Sequence, residues 1–245
     1  MDRLLEATAA AERDHFWFRG FRRFVSPLLA AAAAGRTALS ILDCGCGTGF
    51  NLQLLTPYGR AVGIDLTWTG LRVARARGER GIAQASATHL PFADASFDLV
   101  TSFDVLVALD DAAEDEALRE MFRVLRPGGK LVVNVAAMEF LKGNHSILAR
   151  EVRRYSRPTL RAALRRVGFR VDRLTYTNAS ILPALAVVRL AQRASGHEES
   201  AGEIAVPSPP VNAALSAVLA AEAAVVRLMD MPFGSSLLAL AEKPS

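Results

Sequence analysis

Two acids flank a run of glycines early in the chain: Asp43-Cys44-Gly45-Cys46-Gly47-Thr48-Gly49, then Gly63-Ile64-Asp65-Leu66. Glycines at such a position let the backbone turn sharply and approach a ligand without a Cβ clash. A dinucleotide fold spaces them as G-x-G-x-x-G and sets a pyrophosphate on the following helix N-terminus. Here the third glycine comes one residue early, and Asp43 stands two residues before the first. A carboxylate there repels a pyrophosphate but accepts hydrogen bonds from a ligand bearing an amine. Asp65, 22 residues on, falls at the end of the next strand, where a carboxylate can accept both ribose hydroxyls of an adenosine. The bland alternative is a tight turn with a helix-capping aspartate, but strands on both sides and the second acid at this spacing argue for a binding site.

The elements that must hold these residues are legible as apolar runs of strand length at 38–42, 61–64, 81–85, 97–102 and 130–135, separated by helix-length segments. Such alternation reads as a parallel sheet with crossover helices. A helix is expected to open at Phe50. Another spans 111–125, with acids in its first turn, Arg123 and Arg126 near its end, and Pro127-Gly128-Gly129 as a stop. Arg157-Pro158 opens a further helix that Gly168 caps, and 169–177 alternates as a strand. Two alanine-rich apolar helices, 181–193 and 211–229, follow with a Gly/Glu/Ser/Pro-rich connector between them, and 236–241 reads as a last strand.

Composition bounds the rest. A chain of 245 residues with 51% hydrophobic and 22% charged residues is globular and long enough for one large α/β domain with a buried sheet. No run reaches the roughly 20 uncharged apolar residues of a bilayer span, since Glu222 interrupts the longest, so no transmembrane helix is expected. The N-terminus lacks the basic head and apolar middle of a signal peptide, which predicts a cytoplasmic protein. Cys44 and Cys46 suit neither a disulfide framework nor a C-x-x-C zinc site and are expected as buried thiols, with no metal. The net charge of +4 rests on 26 arginines and three lysines. Seven acids lie in 104–120 and nine arginines in 150–173, two blocks that suggest different partners.

At this point the sequence resembles the class I S-adenosylmethionine-dependent methyltransferases, in a small-molecule branch. The residues that carry the likeness are 42–49, Gly63 to Leu66, Leu90-Pro91-Phe92, 96–100 and 123–129. The resemblance implies an α/β, Rossmann-like doubly wound sheet of seven strands, the last antiparallel, with helices on both faces and a helical insertion before that strand. The corresponding division is an N-terminal helical cap at 1–36, a cofactor-binding core at 37–178, the insertion at 179–233 and the final strand at 234–245. It implies S-adenosylmethionine as cofactor, held by Asp43, Gly45, Cys46, Gly47, Gly49, Asp65, Leu66, Ser86, Ala87, Phe103 and Arg19, the last pairing with the cofactor carboxylate. The acid that the family often carries after the third strand is Ser86 here, a weaker partner for an adenine amine. The Glu-His pair common after the fourth strand is replaced by Val107-Ala108. The segments 15–19 and 153–155 resemble the flanks of bacterial methyltransferases in natural-product, glycan and lipid pathways.

Candidate bases are His145, beyond the fifth strand, and His15, whose aromatic neighbours Trp17 and Phe18 could fold over the cofactor. Asp104 is balanced between a site residue and a helix cap, and Tyr155 between an acceptor contact and a surface role. His89 is expected to cap a turn. The leading expectation is methylation of an O, N or C atom on a hydrophobic small molecule. The alternatives are a lipid-linked or membrane-bound acceptor with peripheral membrane contact, and a cofactor-binding scaffold or homodimer without catalysis. Nucleic acid is not expected as a partner, for want of an Asn/Asp-Pro-Pro-aromatic signature or a recognition domain.

Overall fold

Strands in the middle of a doubly covered sheet must be apolar on both faces, and the central runs of this chain meet that condition. The computed structural model describes residues 2–142, 151–183, 185, 204 and 206–245. Its strands are β1 (Leu39–Cys44), β2 (Gly59–Asp65), β3 (Ile82–Gln84), β4 (Phe97–Phe103), β5 (Leu125–Ala136), β6 (Arg170–Thr177) and β7 (Ser236–Glu242). They form one sheet in the order β3-β2-β1-β4-β5-β7-β6. The first five run parallel, and β7 inserts antiparallel to both β5 and β6. This is the Rossmann-like arrangement expected.

The helices are α1 (Asp2–Ala11), α2 (Phe16–Ala33), α3 (Leu52–Leu55), α4 (Trp68–Ala76), α5 (Asp111–Val124), α6 (Arg157–Val167) and α7 (Pro209–Leu228). Side chains alternate between two cores. Val100, Leu131, Val133 and Ala239 pack with Leu118, Met121, Leu160 and Leu164 of α5 and α6. Leu99, Val132, Leu238 and Leu240 pack with Phe24, Leu28 and Leu29 of α2 and Leu219, Ala223 and Val226 of α7.

Several boundaries differ from expectation. The helix beyond the glycines is a single turn, α3, and starts at Leu52 rather than Phe50. Strand β5 begins directly where α5 ends, five residues before Lys130. Phe97 pairs with Leu125 and Leu99 with Lys130, so the Pro-Gly-Gly segment bulges out of the ladder. Lys243 Nζ closes the end of α5 by donating to the carbonyls of Phe122 (2.8 Å) and Leu125 (2.7 Å).

The acidic and basic blocks do not face different partners; they face each other across α5 and α6. Arg153 pairs with Asp111 (2.7 Å), and Arg166 with Asp115 (2.6 Å) and Glu114 (3.2 Å). Tyr155 is buried beneath them with its hydroxyl on Glu114, so it is neither at the surface nor an acceptor contact.

Helix α7 shows its buried side at Asn212, Ser216, Leu219, Ala223 and Val226, the 3–4 spacing of one helical face. Asn212 accepts from Phe16 N (2.8 Å) and donates to the Asp14 carbonyl (2.9 Å), which ties it to the start of α2. Glu222 is buried and accepts from the amides of Ala179 (2.8 Å) and Ser180 (2.9 Å). By length and composition α7 could cross a membrane, contrary to the reading that Glu222 prevents it, with a third of its apolar window buried. The expected helix at 181–193 lies largely outside the described residues.

Candidate functional site

The chain leaves β1 toward β2 on one side and comes back to β4 on the other, which opens a crevice at the carboxyl ends of these strands. The glycine-rich loop lines it. Gly45 and Cys46 both donate to the Ile64 carbonyl (2.8 Å each). Gly45 has φ +88°, and a Cβ there would fall 2.1 Å from Val105, so neither its conformation nor its space admits a side chain. Helix α4 comes just as close from the other side: a Cβ on Gly70 would lie 2.9 Å from the Gly47 carbonyl carbon.

Asp65 holds the loop as well as the strand edge. Its Oδ2 accepts from Gly47 N (2.8 Å), and its Oδ1 accepts from the Thr67 amide (2.7 Å) and hydroxyl. Asp43 is buried at the end of β1; its Oδ1 accepts from the Thr101 hydroxyl (2.7 Å), and its Oδ2 has no partner among the described residues. Burial pushes its carboxyl up to about 7; the Thr101 bond opposes the rise and the Asp65 charge adds to it. Burial likewise raises the thiols of Cys44 and Cys46, as expected of inert, buried cysteines.

On the other side of the crevice Asp104 follows β4 in a left-handed conformation, φ +58°, that an aspartate adopts at a cost. It is not a helix cap; Asp110 caps α5. Asn134 of β5 donates to its Oδ1 (2.9 Å), while the Asn134 Oδ1 is buried without a partner among the described residues. Surrounding protein pushes the Asp104 carboxyl up to about 7; Glu151 adds to the rise, and Asn134 and Arg154 oppose it. The side chain nevertheless stays open to solvent, so water moderates the shift until a ligand fills the crevice. Sequence reasoning passed over Asn134 and Thr101, although each is a buried polar residue in a central strand.

The other expected residues sort as follows. Leu66 is exposed beside Asp65, and Phe103 meets Phe21 edge-to-face at 5.0 Å. Ser86 shares a hydrogen bond with the Thr88 hydroxyl (2.8 Å) and accepts from the Thr88 amide, which builds a turn that His89 closes; Ala87 packs on the core. Arg19 lies half-buried on α2 with no side-chain partner among the described residues. His15 caps α2, its Nδ1 accepting from Trp17 N (3.1 Å), and its ring stacks on Phe16. That nitrogen serves the helix rather than a base. His145 lies outside the described residues. A groove of about 820 Å³ runs between α5 and α6 over paired charges and is lined by no residue of the glycine loop.

Residues 42–133 match the family described as "Methyltransferase domain". That stretch is similar to a methyltransferase domain. It is similar to a ubiquinone/menaquinone biosynthesis C-methyltransferase from Shewanella oneidensis, 35% identical over 149 residues, 56% of this chain and 57% of that protein. It is also similar to the O-methyltransferase resE from Aspergillus sclerotiorum, 34% identical over 158 residues, 58% of this chain and 59% of that one. The chain spans about half the length of the curated relatives it matches. Its fold resembles the crystal structure of the cyclase SpnF with a TM-score of 0.57 and 23% identity, over 91% of this chain and 80% of that one.

S-adenosylmethionine is the cofactor of this class of domain, and the residues present fit it. The unpartnered Asp43 Oδ2 suits a cationic or amine-bearing ligand, which a pyrophosphate is not. Asp65 stands at the strand end suited to a ribose, and exposed Leu66 offers an apolar surface beside it.

A proton held by folded Asp43 and not by the unfolded chain weakens folding as pH rises. Without cofactor, stability is therefore expected to fall between about pH 4, the ordinary carboxylate value, and about 7. Asp43→Asn should make that decline shallower in denaturant titrations, Asp104 still contributing to it, and weaken cofactor binding about tenfold or more. A variant with the wild-type pH slope would refute the assignment.

Proposed function

We propose that this protein is an S-adenosylmethionine-dependent methyltransferase acting on a hydrophobic small molecule, at oxygen, nitrogen or carbon, in a biosynthetic role. The observation that carries the reading is the buried acid, glycine-rich loop and second acid on adjacent strand ends inside the matched domain. When bound, the cofactor supplies a methyl group on a sulfonium, whose departure as a neutral thioether needs little help from the protein. What remains for the chain is orientation, on the order of 7 to 11 kcal/mol against roughly 3 to 5 for a general base. Replacement of the Glu-His pair by Val107-Ala108 is compatible with turnover on that scale.

Asp104 and Asn134 are the polar pair on the acceptor side. Asp104 is the residue proposed to accept an acceptor's hydrogen bond or proton, since its carboxyl is pushed toward neutrality. Phe21 and Phe103 support an apolar acceptor. The relatives are named for methylation at carbon and at oxygen, which supports the class of reaction without choosing the atom.

A screen of metabolites with labelled methyl donor tests the reading. Asp65→Ala should weaken cofactor binding by roughly 2 to 4 kcal/mol through lost charge-assisted hydrogen bonds, in a protein that still folds. Asp104→Asn should lower kcat about 10²-fold with cofactor affinity held, if the acceptor must be deprotonated. Cofactor binding without any product would favour a scaffold, and unchanged affinity in folded Asp65→Ala would remove that residue from the site.

One observation favours a second reading, methylation of a lipid-linked acceptor at a membrane. Val211, Val218, Val225 and Leu228 form an exposed apolar stripe along α7, Leu228 at 88%, while its acid Glu222 is turned inward. Flotation with anionic vesicles should carry the wild type and not a Val218→Lys, Val225→Lys variant. A vesicle-independent dimer broken by the same changes would assign the stripe to a second copy instead.

A further inference from the structure

The N-terminal segment reaches the glycine-rich loop through one buried carboxylate that the reading above leaves unused. Glu12, just beyond α1, is 5% exposed, and both its oxygens lie in hydrogen-bond reach of the Thr48 hydroxyl (2.9 and 2.7 Å). Thr48 is itself buried, between Gly47 and Gly49, both at positive φ. Arg77, at the end of α4, pairs with the same carboxylate and donates from its other arm to the Ala9 carbonyl (2.8 Å). Arg22 of α2 donates to the Glu12 carbonyl (2.7 Å). Leu5 of α1 lies above the loop, 3.9 Å from where a Cβ on Gly47 would stand.

The loop is thus held from two sides. Asp65 takes the Gly47 amide from the sheet, and Glu12 takes the neighbouring hydroxyl from the N-terminal segment. A run of glycines is conformationally permissive, and a ligand that must order it forfeits affinity. Burying a carboxylate is itself unfavourable unless it is paired and hydrogen-bonded, and here every partner belongs to the loop, to α4 or to an arginine shared with α1.

We infer that Glu12 is a positioning residue for the cofactor loop, acting through Thr48 with Arg77 as counter-charge, so that docking of α1 and the binding-competent shape of the loop are one equilibrium. The inference rests on the reading of that loop as the S-adenosylmethionine site. Coupling of this kind is reciprocal: cofactor should protect α1, and loosening α1 should weaken cofactor binding.

The test uses the full chain with Glu12→Ala, Thr48→Val, Thr48→Ser and the Glu12→Ala/Thr48→Val pair. Calorimetry should show cofactor affinity about tenfold weaker for Glu12→Ala and for Thr48→Val, the double variant no worse than either, and Thr48→Ser near wild type because it keeps the hydroxyl. At saturating cofactor, kcat should stay within about twofold, and cofactor should slow proteolysis of α1 in the wild type far more than in Glu12→Ala. Additive losses, an unchanged affinity, or a fall in kcat alone would overturn the inference. Should Glu12→Ala fail to fold, Thr48→Val against Thr48→Ser decides. Hydrogen exchange without cofactor separates the two readings: a wild type that binds no cofactor ends the functional reading, whereas the positioning role still stands or falls on faster exchange of the Gly47 to Gly49 amides in Glu12→Ala.

Discussion

A carboxylate that finishes a central strand inside the protein, with one oxygen bonded and the other unpartnered, is the constraint around which this molecule is arranged. Something positive or hydrogen-donating in the crevice would favour the ionised Asp43, because burial and the nearby charge of Asp65 oppose ionisation against the Thr101 bond. The loop that follows presents backbone rather than side chains, so a ligand can come close to both acids at once.

Holding two acids and a bare loop at fixed spacing needs rigid strands beneath them. The sheet provides this by burying both faces of β1, β4 and β5, each strand sending alternate residues into separate cores. The antiparallel β7 extends the sheet beyond β5, and α7 covers the same face as α2, joined to it by Leu219 and by the capping amide of Asn212. Helix α7 is therefore fastened at one side to the sheet's own layer, while its other side carries an apolar stripe open to solvent.

The charges show the same economy. Acids of α5 and arginines around α6 pair with each other away from the glycine loop, while Asp43, Asp65 and Asp104 stand at the ends of β1, β2 and β4. Asp104, strained and held by Asn134, puts a polar pair on the ends of β4 and β5.

The sequence by itself determined the strands, the capped helices, the glycine loop and its two acids, because each is a local signal: period-two apolarity, cap residues, turn glycines and the spacing of one β-α-β unit. Even Gly168 and the Asp110 cap are local matters. Tertiary structure alone decided which distant residues meet. That Arg166 answers Asp115 rather than a partner, that Tyr155 lies under Glu114, that Asn134 reaches Asp104 and that Glu12 reaches Thr48 are facts of packing between elements tens of residues apart. A side chain's type and spacing say what it can bond. Whether it faces a helix end, as His15 does, or a crevice, as Asp104 does, depends on the rotation and crossing of whole elements, which are set by how the two cores fill.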